Sequence, residues 1–210
     1  KQPPYLVDRL QPVWTRVHYQ HAFRRVQRYL VEGDCYQVNL TQAFRGTVSG
    51  SILPWADQLL TASPAPYAAY FNQLDTELIS CSPELFIEFY ADGTVSTRPI
   101  KGTLRRYPND HAKDLEARQA LQHSEKDRSE NLMIVDLLRN DLGQHAIAGS
   151  VSVPELFTVE SYAQVHHLVS EVRATLTAEL HPLEMLMSAL PGGSITGAPK
   201  RRAMEIIQEL

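Results

Sequence analysis

Four segments with the alternation of β-strands follow one another along the middle of the chain, and no helical pattern separates them. They cover residues 67–71, 77–81, 85–90 and 94–100. Asp92 and Gly93 form a turn signal between the last two segments. Because strands joined by connections this short pair antiparallel, the sequence predicts an antiparallel sheet here.

Helical patterns lie on both sides of these strands. Residues 19–32 place Phe23, Val26 and Leu30 on one helix face, and Gly33 supplies a left-handed stop. Further helical patterns cover 110–123, 125–141 and 183–190, and strand patterns cover 150–160 and 164–176. Strands and helices in separate blocks predict the α+β class. No repeat or long linker interrupts the pattern, so we expect one domain over residues 1–210.

Another alternating segment follows Gly33 directly. Tyr36, Val38 and Phe44 alternate with polar residues such as Gln37. This period predicts a half-buried strand over residues 36–44 whose second face carries amide side chains.

Charge and composition exclude several classes of function. The formal net charge of -4 gives no basic footprint for nucleic acid or for a membrane surface. Asp136 interrupts one of the longest apolar stretches, and none approaches the roughly 20 residues of a spanning helix. Cys35 and Cys81 are too few for a disulfide framework or a zinc site. These properties favour a cytoplasmic protein whose partners are small molecules or proteins.

Both ends of the sequence indicate a piece of a longer chain. The first residues carry neither an initiating methionine nor an apolar signal core. Near the other end, Pro199 suits the first position of a helix. An apolar stripe then reaches the last residue without a cap, at Ala203, Ile206, Ile207 and Leu210. We therefore expect the natural protein to continue beyond residue 210.

Asp127 and Glu130 are candidates for metal binding. They are three residues apart near the start of a predicted helix, which places both carboxylates on one face, where a hard cation such as Mg²⁺ can bind. Acidic residues at this end of a helix also offset the helix dipole, so the spacing alone leaves both interpretations open.

Lys101 follows an apolar strand pattern and precedes Gly102 and Thr103, where we expect the chain to turn. A lysine removed from water at such a point can act as a nucleophile. A surface lysine at a strand end is the common alternative.

Glu84 and His167 are candidates for acid–base chemistry. Glu84 opens a strand pattern and can exchange protons there, although an exposed glutamate at the start of a strand is the more common case. Leu168, Val172 and Leu176 indicate the buried face of their strand, which places His167 on the opposite face. A histidine at such a position is more often structural than catalytic.

The glycine-rich segment 190–200 leads into the last predicted helix. Its backbone N–H groups and the helix N-terminus can bind an anion, but the segment has neither the Walker A nor the dinucleotide-binding spacing. A glycine-rich connection without a ligand is the alternative.

Six of these segments form an ordered set of motifs. They read GDCYQVNLTQAF (33–44), SPELF (82–86), TRPIKGT (97–103), KDRSENLMIVDLLRNDLG (126–143), HHLVS (166–170) and PGGSITGAPK (191–200). The set resembles that of the chorismate-binding enzymes, which include anthranilate, aminodeoxychorismate, isochorismate and salicylate synthases. The resemblance implies a two-layer α/β sandwich with antiparallel sheets flanked by helices, truncated here at both ends.

The resemblance also implies roles for individual residues. Glu130 matches a metal ligand, with Asp127 beside it, at a site where Mg²⁺ bridges protein carboxylates and a carboxylate of chorismate. Gly102 and Thr103 match residues that meet that substrate carboxylate. Two further matches are Glu84 with the general acid or base, and His167 with the histidine near the leaving hydroxyl.

Two positions distinguish branches of this family. Members that add water to the ring resemble one another in having a lysine where this chain has Gln37, and anthranilate synthases usually have alanine where it has Lys101. The combination found here resembles the members that aminate chorismate at carbon 4 for folate biosynthesis, in which this lysine attacks ring carbon 2. It implies a glutamine amidotransferase partner that supplies ammonia. The alternatives are an anthranilate synthase and a catalytically incomplete chorismate-binding fragment.

Overall fold

The computed structural model describes residues 5–210. The helices are α1 (Arg16–Glu32), α2 (Leu53–Ala62), α3 (His111–Gln122), α4 (Glu125–Gly143), α5 (Pro182–Ala189), α6 (Gly193–Thr196) and α7 (Lys200–Glu209). The strands are β1 (Tyr5–Leu6), β2 (Gln11–Pro12), β3 (Gln37–Val38), β4 (Phe44–Arg45), β5 (Val48–Ser49), β6 (Tyr67–Gln73), β7 (Thr76–Ser82), β8 (Leu85–Phe89), β9 (Thr94–Arg98), β10 (Ile100–Arg105), β11 (Ser152–Ser161), β12 (Val165–Thr175) and β13 (Gly197–Ala198).

The described residues divide into two compact units, although the sequence pattern shows no boundary. The first takes in residues as far as 33 together with 40–84, and the second takes in 34–39 and 85–209.

In the first unit, local signals set the ends of α1. Thr15 caps the helix by accepting a hydrogen bond from the His18 N–H at 3.2 Å. Gly33 ends it with a φ of 80°, so the predicted left-handed stop is confirmed. The helix buries Ala22 and Val26, whereas Phe23 is 47% exposed.

Besides α1, the first unit contains one hairpin, the helix α2 and several two-residue strands. Strands β6 and β7 pair antiparallel along their full length, as predicted. Helix α2, with Pro54 in its first turn, was not predicted. The prediction of one continuous strand over residues 36–44 is wrong, because only its two ends, β3 and β4, pair with other strands.

In the second unit, the long strand β12 organises a five-stranded antiparallel sheet. It pairs with β9, β10 and β11, and β8 pairs with β9. The Asp92–Gly93 turn joins β8 to β9, with Gly93 at a φ of 84°. The predicted α+β class is confirmed, and so is the antiparallel pairing of β8 with β9. The single sheet predicted from the four successive strands is wrong, because β6 and β7 form a sheet of their own.

Helices α3 and α4 form the second layer. Ile134, Val135 and Leu138 of α4 pack against Val95 and Val172 of the sheet. Burial of each such side chain stabilises the fold by about 1.5–3 kcal/mol. Because Leu168 and Val172 are fully buried on this face, alternation places His167 on the opposite face, as predicted.

The apolar stripe of α7 also packs in this unit. Ala203 and Ile206 are fully buried, while Ile207 is 39% exposed. The helix begins at Lys200, and the Ala203 N–H donates to the Pro199 carbonyl at 2.9 Å. Across residues 5–210, no helix has the length and apolar character needed to span a membrane.

Candidate functional site

The candidate site is built around an irregularity in β10. Ile100 pairs with Val169, and Thr103 pairs with His167, so β10 holds one more residue than β12 between these two pairs. This is a β-bulge, and it contains Lys101 and Gly102. The expected turn after Lys101 is therefore wrong: the bulge absorbs the extra residue, and the strand continues to Arg105.

Gly102 brings the bulge against the start of α4. Its φ is 87°, a conformation that favours glycine. A Cβ atom at this position would lie 2.8 Å from Cγ of Asp127 and 2.8 Å from Cδ1 of Leu121. Only glycine therefore allows the backbone beside Lys101 to lie against the Asp127 side chain.

His167 lies beside Thr103 on the neighbouring strand. Its Nδ1 atom is 2.8 Å from the Thr103 hydroxyl, and its ring centroid is 5.5 Å from that of Tyr162 at an angle of 60°. Burial lowers the pKa of His167, and the negative charge of Glu160 acts in the opposite direction. The ring is thus biased towards its neutral form, in which one nitrogen donates a proton and the other accepts one.

Asp127 and Glu130 occupy successive turns of α4. Ser124 caps the helix by accepting from the Asp127 N–H at 3.3 Å. Asp127 is in the first turn, so the interpretation as helix-dipole compensation also applies to it. Glu130 is one turn further and lies 3.8 Å from Lys126 across an exposed ion pair.

These two residues offer only part of a metal site. Among residues 5–210, no three His, Cys, Asp or Glu side chains come together to hold a metal ion. Mg²⁺ commonly takes one or two protein carboxylates and completes its coordination with water and substrate oxygens. The assignment of Asp127 and Glu130 to a Mg²⁺ site therefore stays a prediction.

Gln37 lies on a second short ladder of the same unit. Strand β3 pairs with β13, so Gln37 is opposite Ala198. The Gln37 amide donates to Asn39 Oδ1 at 3.2 Å, and Asn39 Nδ2 donates to the Ser194 carbonyl at 2.6 Å. The polar face predicted for this segment thus holds the glycine-rich connection in place.

The glycines of that connection are required by close packing. A Cβ atom at Gly197 would lie 2.0 Å from the Gln37 carbonyl oxygen, and one at Gly193 would lie 2.7 Å from Leu137. Helix α6 is a single turn. These contacts favour the structural interpretation of the segment over an anion-binding loop.

Lys200 anchors the end of this segment to α4. Its ammonium donates to Asp141 Oδ2 at 2.6 Å and to the Ala189 carbonyl at 2.8 Å. Burial raises the pKa of Asp141, and the charge of Lys200 opposes that change. The pair borders a cavity of about 550 Å³ that is also lined by Tyr36 and Leu132.

Glu84 belongs to the first compact unit. The Ser82 hydroxyl accepts from the Glu84 N–H at 3.4 Å and donates to the Glu84 carbonyl at 3.2 Å. These contacts fix the backbone at the end of β7. The structure thus places Gly102 against Asp127 and Thr103 beside His167, with Lys101 and Gly102 sharing the bulge, and Glu84 belongs to the other compact unit.

Sequence reasoning missed the polar residues around this group. Arg98 forms ion pairs with Glu155, Glu160 and Glu171, which belong to strands far along the chain. Tyr162 lies in the turn between β11 and β12 and donates to Glu160. No local pattern indicates the partners of Arg98, because these ion pairs depend on the register of the sheet, and nothing in the sequence places Tyr162 beside His167.

A second polar cluster lies on the opposite face of the sheet. Asp114 pairs with Arg106 at 3.0 Å, accepts from the Tyr107 N–H at 2.7 Å, and lies 3.1 Å from buried His166. The Arg106 hydrogen bond, followed by that from Tyr107, lowers the pKa of Asp114 to about 2. This cluster ties α3 to the strands that carry Thr103 and His167.

Comparison with known proteins decides the family. Residues 2–210 match the family described as chorismate binding enzyme. The chain belongs to this family. The resemblance inferred from the motifs is therefore confirmed.

Two curated relatives in the chorismate-binding family are named aminodeoxychorismate synthase component 1. The Salmonella typhimurium protein is 52% identical over 210 residues, which cover 100% of this chain and 46% of that protein. The Escherichia coli protein is 54% identical over 196 residues, which cover 93% of this chain and 43% of that protein. The chain thus spans less than half the length of either relative.

A solved structure of the same family shares the fold. Anthranilate synthase component I from Streptococcus pneumoniae superposes with a TM-score of 0.84 at 31% identity. The match covers 98% of this chain and 45% of that structure. The fold described above is therefore that of the corresponding part of a chorismate-binding enzyme.

Proposed function

We propose that the full-length protein aminates chorismate at carbon 4 and forms 4-amino-4-deoxychorismate, the precursor of para-aminobenzoate for folate. The observation that carries the proposal is the identity of 52% and 54% to two proteins named aminodeoxychorismate synthase component 1. Both matches extend over at least 93% of this chain.

Lys101 supports this reaction over its nearest alternative. Anthranilate synthases of this family usually have alanine here, and the presence of an amine is what allows covalent catalysis. The lysine lies in the bulge between Ile100 and Thr103, half-buried and one residue from Gly102. Its backbone position is fixed by pairing on one side and by the contact of Gly102 with Asp127 on the other.

The proposed reaction divides one displacement into two. The neutral Lys101 amine attacks ring carbon 2, the double bonds shift, and the bond from carbon 4 to its hydroxyl breaks. The family motifs give Glu84 the role of supplying the proton with which that hydroxyl leaves as water, and they give His167 a role beside the leaving group. Ammonia then forms a bond to carbon 4, the double bonds shift back, and the bond from carbon 2 to lysine breaks. The net change is the replacement of a hydroxyl by an amine.

Glu130 and Asp127 would hold Mg²⁺ together with a substrate carboxylate. The ion supplies positive charge that neutralises this carboxylate. Gly102 and Thr103 would bind the same end of the substrate. Gln37, in place of the lysine of the water-adding members, leaves that position without a general base for water.

The full-length protein would work with a glutamine amidotransferase. Ammonia is largely protonated near neutral pH, and the ammonium ion has no lone pair with which to attack carbon. A partner that releases ammonia from glutamine next to the site removes this limitation. The word component in the names of the relatives agrees with such a partner, and we place the pair in the cytoplasm.

Product analysis tests the proposal. Full-length protein is incubated with chorismate, Mg²⁺ and an ammonium salt, and the products are separated and identified by mass spectrometry. We expect aminodeoxychorismate from the wild type and loss of most carbon-4 amination in Lys101→Ala. Lys113→Ala is the matched control, because Lys113 is an exposed lysine on α3. Formation of anthranilate and pyruvate by the wild type would instead identify an anthranilate synthase.

A further inference from the structure

His167 lies in the middle of a polar row that crosses three strands. Thr103 on β10 and Glu160 on β11 are both directly opposite His167 on β12. Directly opposed residues of an antiparallel sheet project to the same face, so the three side chains are neighbours. The ring is therefore flanked by a polar group on each side.

Thr103 holds one nitrogen of the ring. Its hydroxyl is 2.8 Å from Nδ1 of His167. A hydroxyl can donate to this nitrogen or accept from it, and either arrangement sets which ring nitrogen carries the proton. With Nδ1 occupied, Nε2 is the nitrogen that can meet a ligand.

Tyr162 restrains the ring from a second direction. The two ring centroids are 5.5 Å apart and tilted by 60°, a favourable edge-to-face arrangement. The Tyr162 hydroxyl donates to Glu160 Oε2 at 2.6 Å. Its backbone is fixed as well, because its N–H donates to the Val165 carbonyl at 2.8 Å and its carbonyl accepts from Arg106 at 3.2 Å.

Glu160 is in turn fixed by Arg98. The Arg98 guanidinium pairs with Glu160, and it also donates to Glu155 at 3.2 Å and to Glu171 at 3.1 Å. Glu171 is buried and accepts further hydrogen bonds from Ser96 at 2.7 Å and from Arg173 at 2.5 Å. A carboxylate held in this way cannot follow a moving tyrosine, so Tyr162 is held in place.

We propose that Tyr162 and Glu160, anchored by Arg98, are positioning residues for His167: they fix the plane of its ring while Thr103 fixes Nδ1, so that Nε2 faces the substrate. Family membership gives these three residues no role. The proposal rests on the proposed function only because it gives His167 a part in turnover.

Nuclear magnetic resonance of the full-length protein tests the positioning directly. Histidine is labelled with nitrogen-15, and the His167 signals are assigned by their disappearance in His167→Gln. We expect the His167 ring signals to shift in Thr103→Val, Tyr162→Leu and Glu160→Gln, and to return towards the wild-type position in Thr103→Ser. Glu160→Gln keeps the size of the side chain, so it serves where Tyr162→Leu does not fold.

Kinetics give the second measurement. Tyr162→Leu should lower kcat by about 10-fold or more with KM for chorismate nearly unchanged, because displacement of a catalytic group by about 1 Å can cost up to about 100-fold. Tyr162→Phe, which keeps the ring, should lose less. Tyr90→Phe is the matched control, because the Tyr90 hydroxyl also donates to a glutamate two residues earlier, Glu88, at 2.8 Å. This variant should leave kcat unchanged.

The two measurements separate the two claims. His167 signals that stay at the wild-type position in Thr103→Val, Tyr162→Leu and Glu160→Gln would overturn the positioning proposal. Signals that move while kcat stays constant would support the positioning and remove His167 from the proposed reaction. Signals that move together with a lower kcat would support both.

Discussion

Removal of the Lys200 ammonium should weaken the contact between α4 and α7. Lys200 and Asp141 are 2.6 Å apart, and their side chains are only 17% and 8% exposed. Loss of one partner from a buried ion pair costs about 3–5 kcal/mol, because the remaining charge stays buried without compensation. The Ala189 carbonyl also loses its donor. For Lys200→Met we expect the free energy of opening of α7 to fall by about 3 kcal/mol, the lower end of this range, because Asp141 can take up a proton.

Hydrogen exchange measures this loss where it occurs. Trp14 and Trp55 both lie in the first compact unit, so tryptophan fluorescence would not report on α7. Amide exchange of α7 in the full-length protein gives its free energy of opening directly. The Ala203 amide, which donates to Pro199, is the probe of the first turn. Arg201→Met on the same helix is the control: Arg201 is 94% exposed, and its pair with Glu205 should contribute less than about 0.5 kcal/mol.

The pH dependence has a definite sign. Burial raises the pKa of Asp141, and removal of Lys200 raises it further because the opposing charge is gone. A carboxyl whose pKa is higher in the folded than in the unfolded protein disfavours folding once the pH exceeds its unfolded value. The deficit of Lys200→Met should therefore be largest near neutral pH and shrink towards acid pH. A deficit under about 1 kcal/mol at neutral pH, or one independent of pH, would refute this reasoning.

Two further predictions concern carboxylates. The first is measured by calorimetric titration of Mg²⁺ into full-length protein with chorismate. Glu130→Ala should bind the ion more weakly than the wild type does, whereas Glu116→Ala, at an exposed position, is the control. Equal affinities would remove Glu130 from the metal site. Because the pKa of Asp114 is lowered from 3.8 to about 2, its ion pair stabilises the fold above pH 3.8 and this stabilisation is lost as the pH falls towards about 2. Asp114→Asn should therefore show a flatter acid-unfolding profile over this interval, and a profile as steep as that of the wild type would contradict the assignment.

Local patterns predicted the regular elements of the fold well. The β6–β7 hairpin, the Asp92–Gly93 turn and α4 depend on periodicity and on turn or cap residues that are adjacent in sequence. Gly33 ends α1 for the same local reason. These signals need no knowledge of distant partners.

The irregular elements depend on contacts that the sequence does not display. Gly102 resembles a turn glycine, and only pairing of β10 with β12 and the contact with Asp127 make it part of a bulge. The alternation over residues 36–44 predicts a strand, yet only its β3 portion meets β13 and its β4 portion meets β2. Strand formation there is decided by the partner that is available.

The same limit applies to the candidate site. Spacing alone left Asp127, Lys101 and His167 with structural alternatives, and it was the family motifs that connected them to one chemistry. Arg98 and Tyr162 carried no signal at all, because the contact of Arg98 with Glu171 and that of Tyr162 with His167 depend on how the strands pair. Register is a tertiary property, so these residues become visible only in the folded chain.

Covalent trapping of Lys101 tests the central claim most directly. Full-length protein is incubated with chorismate and Mg²⁺ in the absence of ammonia and glutamine, then digested and analysed by mass spectrometry. The account predicts an adduct of dehydrated chorismate on the peptide that contains Lys101, and its absence in Lys101→Ala. No adduct in the wild type, together with unimpaired carbon-4 amination by Lys101→Ala, would contradict the account and reduce Lys101 to a binding residue.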